Sequence, residues 1–360
     1  MLQNRAILNE YKGVLFEYLS AVEISSRYEL SDTLISNIDS KKLYRYSHYE
    51  KLILLNEPSW MILIEQAAVK FTDELLMFLK LSKIEKVLNI CLQGNQQSKN
   101  DKETDLLLET TSGNYLLSLK FYKSLSGVNT KSAGIFSLIN TYFENYNPKL
   151  ILTLQNDLCE FTYLNYISFM EEMFQVMNEP IIPKSKMESN KDYCLRVNNL
   201  FKTYLTKHDI SSYPGKLIGE YKESLLKYYA KLSKYIFDIF VKLKNENPVN
   251  FKKVIVSLCG FKDASQIQCI VTHDEISESQ NDIKIIRENV QVSFNSSAEL
   301  YSSLNSIELI NHKNTSYFEI KFTNYLLQIR VKPMNTFTTP GIKINCSLKN
   351  NISSRGRLDN

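Results

Sequence analysis

Thr104-Asp105-Leu106-Leu107-Leu108-Glu109, followed after a short turn by Tyr115-Leu116-Leu117-Ser118-Leu119-Lys120, is the stretch on which the fold turns. It reads as two short strands joined by Thr111-Ser112-Gly113-Asn114. Asp105 opens the first strand, and Lys120 lies in the second. Side chains alternate along a strand, so Ser118 and Lys120 share a face. The hairpin can therefore bring a carboxylate and an ammonium side by side. Metal-dependent phosphodiester chemistry needs both: the carboxylate holds Mg²⁺, and the lysine orients the attacking water or neutralises phosphate charge. The alternative is an ordinary hairpin with a solvated lysine.

The flanks extend the pattern. The approach from Cys91 to Thr104 is a polar loop without an apolar residue after Gly94. Such a loop can gather acids beside a sheet edge. Upstream, the spacing predicts a helix over 59–81 with Ser59 as N-cap. It carries Glu65 among Trp60, Ile62, Leu63, Ile64, Ala67, Ala68 and Val69. A charge in such company needs a partner: Lys70 or water on the bland reading, a metal or Lys120 on the functional one. Downstream, 132–146 reads as a second helix with Ile135, Leu138, Ile139 and Tyr142 on one face.

Over about residues 59–146 this order resembles the PD-(D/E)XK nuclease superfamily, the restriction-endonuclease-like fold. In that family an acid-bearing helix precedes a strand opening with Asp, a strand ending in (D/E)-X-K, and a further helix. The resemblance implies Asp105 as a metal-binding residue, Lys120 as the catalytic lysine and Glu65 as the helix acid. Two positions depart from it. Thr104 replaces the Pro, and Ser118 stands where the second acid belongs. Some restriction enzymes of this fold carry Ser there and take the acid from the following helix. In this chain Glu144 is the only acid in that helix, and Glu65, Glu103 and Glu109 are the other candidates. Ser118 could touch a metal-bound water but cannot supply a carboxylate's charge.

The global numbers set limits. At 360 residues the chain has room for two domains or one elaborated domain. Its longest apolar runs are far too short to span a bilayer, and its first residues lack the order of a signal peptide, so a soluble cytoplasmic protein is expected. Six cysteines, at 91, 159, 194, 259, 269 and 346, form no CxxC and no zinc spacing with the scattered histidines. There is no catalytic-triad signature, glycine-rich phosphate loop or Walker motif.

Three parts are expected along the chain: a helical N-terminal part with the nuclease core (1–180), a helical connector (181–250) and a β-rich basic part (251–360). The break at Asn178-Glu179-Pro180-Ile181-Ile182-Pro183 marks the first boundary. Lys216 to Asn245 is the strongest helix, with Leu225, Tyr228, Tyr229, Leu232, Ile236, Ile239, Phe240 and Leu243 at helical spacing. Lys231 and Lys234 lie on its other side. Strands are expected at 254–259, 290–294, 317–322, 325–332 and 342–347. From Lys313 onward basic residues outnumber acids eight to two in a chain whose net charge is only +4. Arg330 and Lys332 alternate with apolar neighbours in one strand, and Lys343 lies in the next. Such a face is either an ordinary solvated surface or a contact for the phosphates of double-stranded DNA. The fold class expected is α+β, an α/β nuclease core with a mixed sheet flanked by helices. The activity expected is a Mg²⁺-dependent DNA endonuclease of type II restriction-enzyme kind. A homodimer follows if its site is palindromic, because such sites match a two-fold axis. The alternative is a catalytically degenerate protein of this fold that binds DNA or protein.

Overall fold

The computed structural model describes residues 2–84, 86–93, 104–123, 129–261, 266–273 and 290–350. Four helices come first: α1 (Leu2–Arg27), α2 (Ser31–Ser36), α3 (Ser40–Asn56) and α4 (Pro58–Leu81). Strands β1 (Val87–Leu92), β2 (Leu106–Thr110), β3 (Gly113–Lys123) and β4 (Asn129–Gly134) follow. Next are α5 (Leu138–Tyr142), α6 (Pro148–Val176), α7 (Asn190–Lys207), α8 (Gly219–Glu246) and α9 (Pro248–Leu258). The chain continues through β5 (Gln266–His273), β6 (Val290–Ser296), α10 (Ser297–Ser303), β7 (Ile307–Asn311), β8 (Tyr317–Phe322), β9 (Tyr325–Pro333) and β10 (Ile342–Asn350). The class is mixed α+β, with two five-stranded sheets among the described residues. None of the described helices is long and apolar enough to cross a membrane.

The chain divides into two compact units, Met1–Val128 with Phe261–Leu300, and Asn129–Gly260 with Tyr301–Asn360. This cuts across the expected boundaries at 180 and 250. The reason is a strand pairing. In the first unit β3 pairs in parallel with β5, Leu116 opposite Gln266 through Lys123 opposite His273. Parallel neighbours need a crossover connection, and here that connection is the first segment of the second unit.

The first sheet has the order β1-β2-β3-β5-β6. Strands β1, β2 and β3 are antiparallel neighbours, and β6 runs antiparallel to β5. The β2–β3 turn places Gly113 at φ +134°, a conformation that a side chain would strain. Leu106, Leu108, Leu117, Leu119, Ile267, Cys269 and Val271 form one apolar face, packed in a single core with Phe16, Ile64, Ala67, Phe71 and Leu75 of α1 and α4. Each large side chain buried in this way contributes about 1.5–3 kcal/mol. The other face carries Ser118, Lys120, Gln268 and Asn295, and it is there that the polar residues gather.

In the second unit an antiparallel sheet, β4-β10-β9-β8-β7, meets the apolar side of α8. Phe318 of β8 lies edge-on to Phe237 and Phe240, with ring centroids 5.5 and 5.3 Å apart. Helix α6 packs on α8 through Phe169 and Tyr228, stacked at 5.1 Å. The buried Asn165 amide donates to the Tyr228 carbonyl at 3.0 Å.

Three local expectations are corrected. The expected strand at 254–259 is helix α9: Asn247 caps it by accepting from the Asn250 N–H at 3.0 Å, Pro248 occupies its first turn, and Phe251, Val254, Ile255 and Leu258 are buried at helical spacing. The expected helix over 132–146 is instead the end of β4 and the short α5. Residues 132–134 pair with β10, a partner far along the chain. Pro148 begins the next helix, α6, behind the Asn147 cap. At α4, Pro58 precedes Ser59 in the first turn, and the N-cap position is Glu57.

Candidate active site

Strand β3 is longer than β2 and projects beyond it. The last β2 pairing is Leu106 opposite Leu117, which leaves the Leu119 N–H without a β2 carbonyl. Asp105 fills the gap. Its Oδ2 accepts from the Leu119 N–H at 2.5 Å. Its own N–H donates to the Leu117 carbonyl at 2.9 Å, and its carbonyl accepts from the Gln93 N–H at 3.0 Å. The carboxylate is thereby fixed just before β2 and against Leu119, the residue that precedes Lys120 in β3. Burial pushes its pKa up, against the opposing pull of the Lys120 ammonium and the Leu119 N–H.

A second acid, Glu17 of α1, lies within electrostatic reach of these two. Burial raises its pKa from 4.5 to about 8; the Asp105 charge adds to the rise and the Lys120 charge opposes it. The positioning comes from the neighbouring rings. Phe16 and Phe121 are stacked with centroids 4.7 Å apart. Phe16 precedes Glu17 and Phe121 follows Lys120, so this contact fixes the Glu17 turn of α1 against the end of β3. Tyr46 of α3 extends the surroundings. It stacks on Tyr18 at 4.3 Å, and burial, with the Glu17 charge in support, pushes its hydroxyl up to about 12. Burial and the Asp105 charge also raise Tyr122, two residues beyond Lys120 on the same strand face.

Ser118 is only 3% exposed and faces the same side as Lys120. It lies opposite Gln268 of β5, and Gln268 lies opposite Asn295 of β6. The Asn295 amide donates to Gln268 Oε1 at 3.3 Å. The row across the sheet at this level is neutral.

Glu65 does not join the site. It is solvent-exposed on α4, off the buried stripe of Met61, Ile64, Ala68, Phe71 and Leu75, and is not among the charges acting on Asp105 or Glu17. Water solvates it, so it needs no partner. Glu109 is half-buried on β2, where it accepts from the Asn89 amide at 3.2 Å. Glu144 is exposed in the turn after α5, in the other unit. Glu103 lies outside the described residues. Glu17, like Glu65, is a charge set in an apolar run, Val14-Leu15-Phe16-Glu17-Tyr18-Leu19.

Among the described residues no group of three or more histidines, cysteines or acids is placed to hold a metal. Two carboxylates remain. That set suits Mg²⁺, which keeps most of its water and binds through one or two carboxylates and substrate phosphate.

The candidate DNA-contacting residues fall in the second unit. Arg330, Lys332 and Lys343 are exposed on the outer face of the second sheet, with Lys343 directly opposite Lys332. The Arg330 guanidinium lies 5.6 Å from the Tyr317 ring centroid. Lys231 and Lys234 are exposed on α8 but have acidic company: Lys234 pairs with Asp238, and Lys231 lies 3.9 Å from Glu172. Comparison with known proteins finds no matching family model, no matching curated protein and no matching solved structure.

Proposed function

We propose that the protein is a Mg²⁺-dependent DNA endonuclease of restriction-endonuclease-like fold, hydrolysing phosphodiester bonds in double-stranded DNA. The observation that carries this reading is Asp105 held against β3 beside Lys120, with both charges acting on Glu17 of α1. An acid-bearing helix, a strand opening with Asp and a strand carrying Lys is the order that the resemblance implies, with Glu17 in place of Glu65.

Asp105 and Glu17 would hold the ion. When bound, Mg²⁺ supplies Lewis acidity and lowers the pKa of its water. Lys120 orients the nucleophile and offsets charge building on the phosphate. Ser118 contributes a hydroxyl and no charge. Arg330, Lys332 and Lys343, with Lys231 and Lys234, supply cations for the DNA backbone, and a palindromic target would call for a homodimer.

The test is incubation with mixed double-stranded DNA and Mg²⁺, followed by mapping of the ends. Asp105→Ala should lose cleavage and metal affinity together. Lys120→Ala should keep metal and DNA binding while the chemical step falls by about 10²–10³-fold, the scale for one lost charge-stabilising group. Wild-type rates in both variants would refute the assignment. The neutral row at Ser118 favours a second reading, a degenerate nuclease that binds DNA without cutting it. Tight binding with no metal-dependent cleavage of any DNA would establish that reading instead.

A further inference from the structure

Within the second unit a cavity of about 900 Å³ opens between α6, α8 and the turn that follows β7. That is the size of a small-molecule site. One side is apolar and aromatic. Phe161 of α6 and Tyr235 of α8 stack with centroids 4.0 Å apart and planes 5° from parallel, and Leu226 and Ala230 continue this side along α8. The rest is basic. Lys227, Lys231 and Lys234 come from the same face of α8, since residues three and four apart on a helix are neighbours. Lys313 faces them from the turn, beside His312, whose Nε2 is held by Glu319 Oε2 at 2.8 Å.

The lining itself holds four lysines against two acids, with Glu172 and Asp157 close by. Glu223 and Asp238 also line it, and Asp238 is engaged by Lys234. Lys231 has only the distant Glu172. Lys227 and Lys313 form no ion pair with any described residue. Lys227 and Lys313 come from different elements lining one cavity, and an anion bound between them would gain from both charges. Beside them the stacked rings offer a surface for a flat aromatic group, a contact that tolerates any base because every base has a π face.

We propose that this cavity binds a nucleoside phosphate, with the base against the Phe161–Tyr235 side and the phosphate between Lys227 and Lys313. The proposal rests on the second unit alone and needs neither Asp105 nor Lys120.

Adenosine monophosphate, adenosine and inorganic phosphate are titrated into the full chain by calorimetry, with a 5′-phosphorylated tetranucleotide as a further arm. The monophosphate should bind, with adenosine and inorganic phosphate each at least about tenfold weaker. Lys227→Glu and Lys313→Glu should each weaken the monophosphate at least about tenfold. Phe161→Leu, less disruptive than removing the tyrosine, should weaken the monophosphate and leave inorganic phosphate unchanged. Thermal melting of each variant separates lost binding from lost folding. Equal affinity for monophosphate and tetranucleotide identifies a free nucleotide as the ligand; a tighter tetranucleotide, weakened by the same variants, identifies a strand terminus. The proposal fails if the monophosphate does not bind at about 1 mM, if binding ignores both charge reversals, or if inorganic phosphate binds as tightly as the monophosphate.

Discussion

Glu17 shows what a single residue contributes and what it costs. Its pKa is raised from 4.5 to about 8, burial first and the Asp105 charge second. Between those values the unfolded chain ionises Glu17 while the folded chain keeps it protonated. The folded state therefore binds more protons, and stability falls as pH rises through this window, by up to about 1.4 kcal/mol per unit. Burial moves Asp105 in the same direction. In urea denaturation with a chelator present, wild-type protein should lose stability from about pH 5 to about pH 8, and Glu17→Gln should flatten that slope. A flat wild-type profile would show that Glu17 is ionised throughout this window and that burial does not hold its proton. The same variant should abolish Mg²⁺-dependent cleavage, since a carboxamide keeps the shape but loses the charge a hard cation needs. Glu65→Gln, on the exposed side of α4, should cleave at the wild-type rate. Asp105 and Lys120 were legible in the sequence because the hairpin that unites them is local. Glu17 was not, because its neighbours come from the contact of α1 with β3. A charge among apolar residues marks Glu17 and Glu65 equally, and only helix packing separates them.

At the scale of elements, legibility followed the length and regularity of the pattern. Helix α8 was readable from its long periodic stripe, and β9 from the alternation of Arg330 and Lys332 with apolar neighbours. Helix α9 was not. Its run Val254-Ile255-Val256 has the β-branched composition of a strand. The cap and the tertiary burial override that preference, with Phe251, Val254, Ile255 and Leu258 all enclosed. The cap should then be measurable. In Asn247→Ala the Asn250 N–H loses its side-chain acceptor, and the expected cost is about 1 kcal/mol in chemical denaturation. The loss should appear with helix content near native, because the buried face of α9 is unchanged. A variant as stable as wild type would mean that water caps α9 equally well. Tyr146 braces the same junction, its hydroxyl lying 3.0 Å from the carbonyls of both Leu243 and Asn247 and sharing its one proton between them. No pass along the sequence could have paired those residues.

For the whole molecule, what escaped the sequence was the order of assembly. A division at 180 and 250 follows the composition of the chain, but the units are defined by pairings between distant segments: β3 with β5 in one and β4 with β10 in the other. Such contacts leave no local trace. Charge distribution, by contrast, was readable at this scale. The alternation that set Arg330 and Lys332 against Leu327, Ile329 and Val331 is realised as an outer basic face and a buried apolar one. Position on that face separates the candidate DNA contacts. Arg330, Lys332 and Lys343 are exposed together across β9 and β10, whereas Lys234 is already paired with Asp238. If the sheet face meets phosphates, Arg330→Glu with Lys332→Glu should lower the slope of log K against log[salt] by about 1.8, since each lost contact with duplex DNA removes about 0.9. Lys234→Ala should change the slope less, because its charge is partly neutralised before DNA arrives. Duplex binding measured by anisotropy across a salt series distinguishes the outcomes. An unchanged slope in the double variant would make the β9–β10 face an ordinary solvated surface, and a larger change in Lys234→Ala would move the phosphate contact to α8.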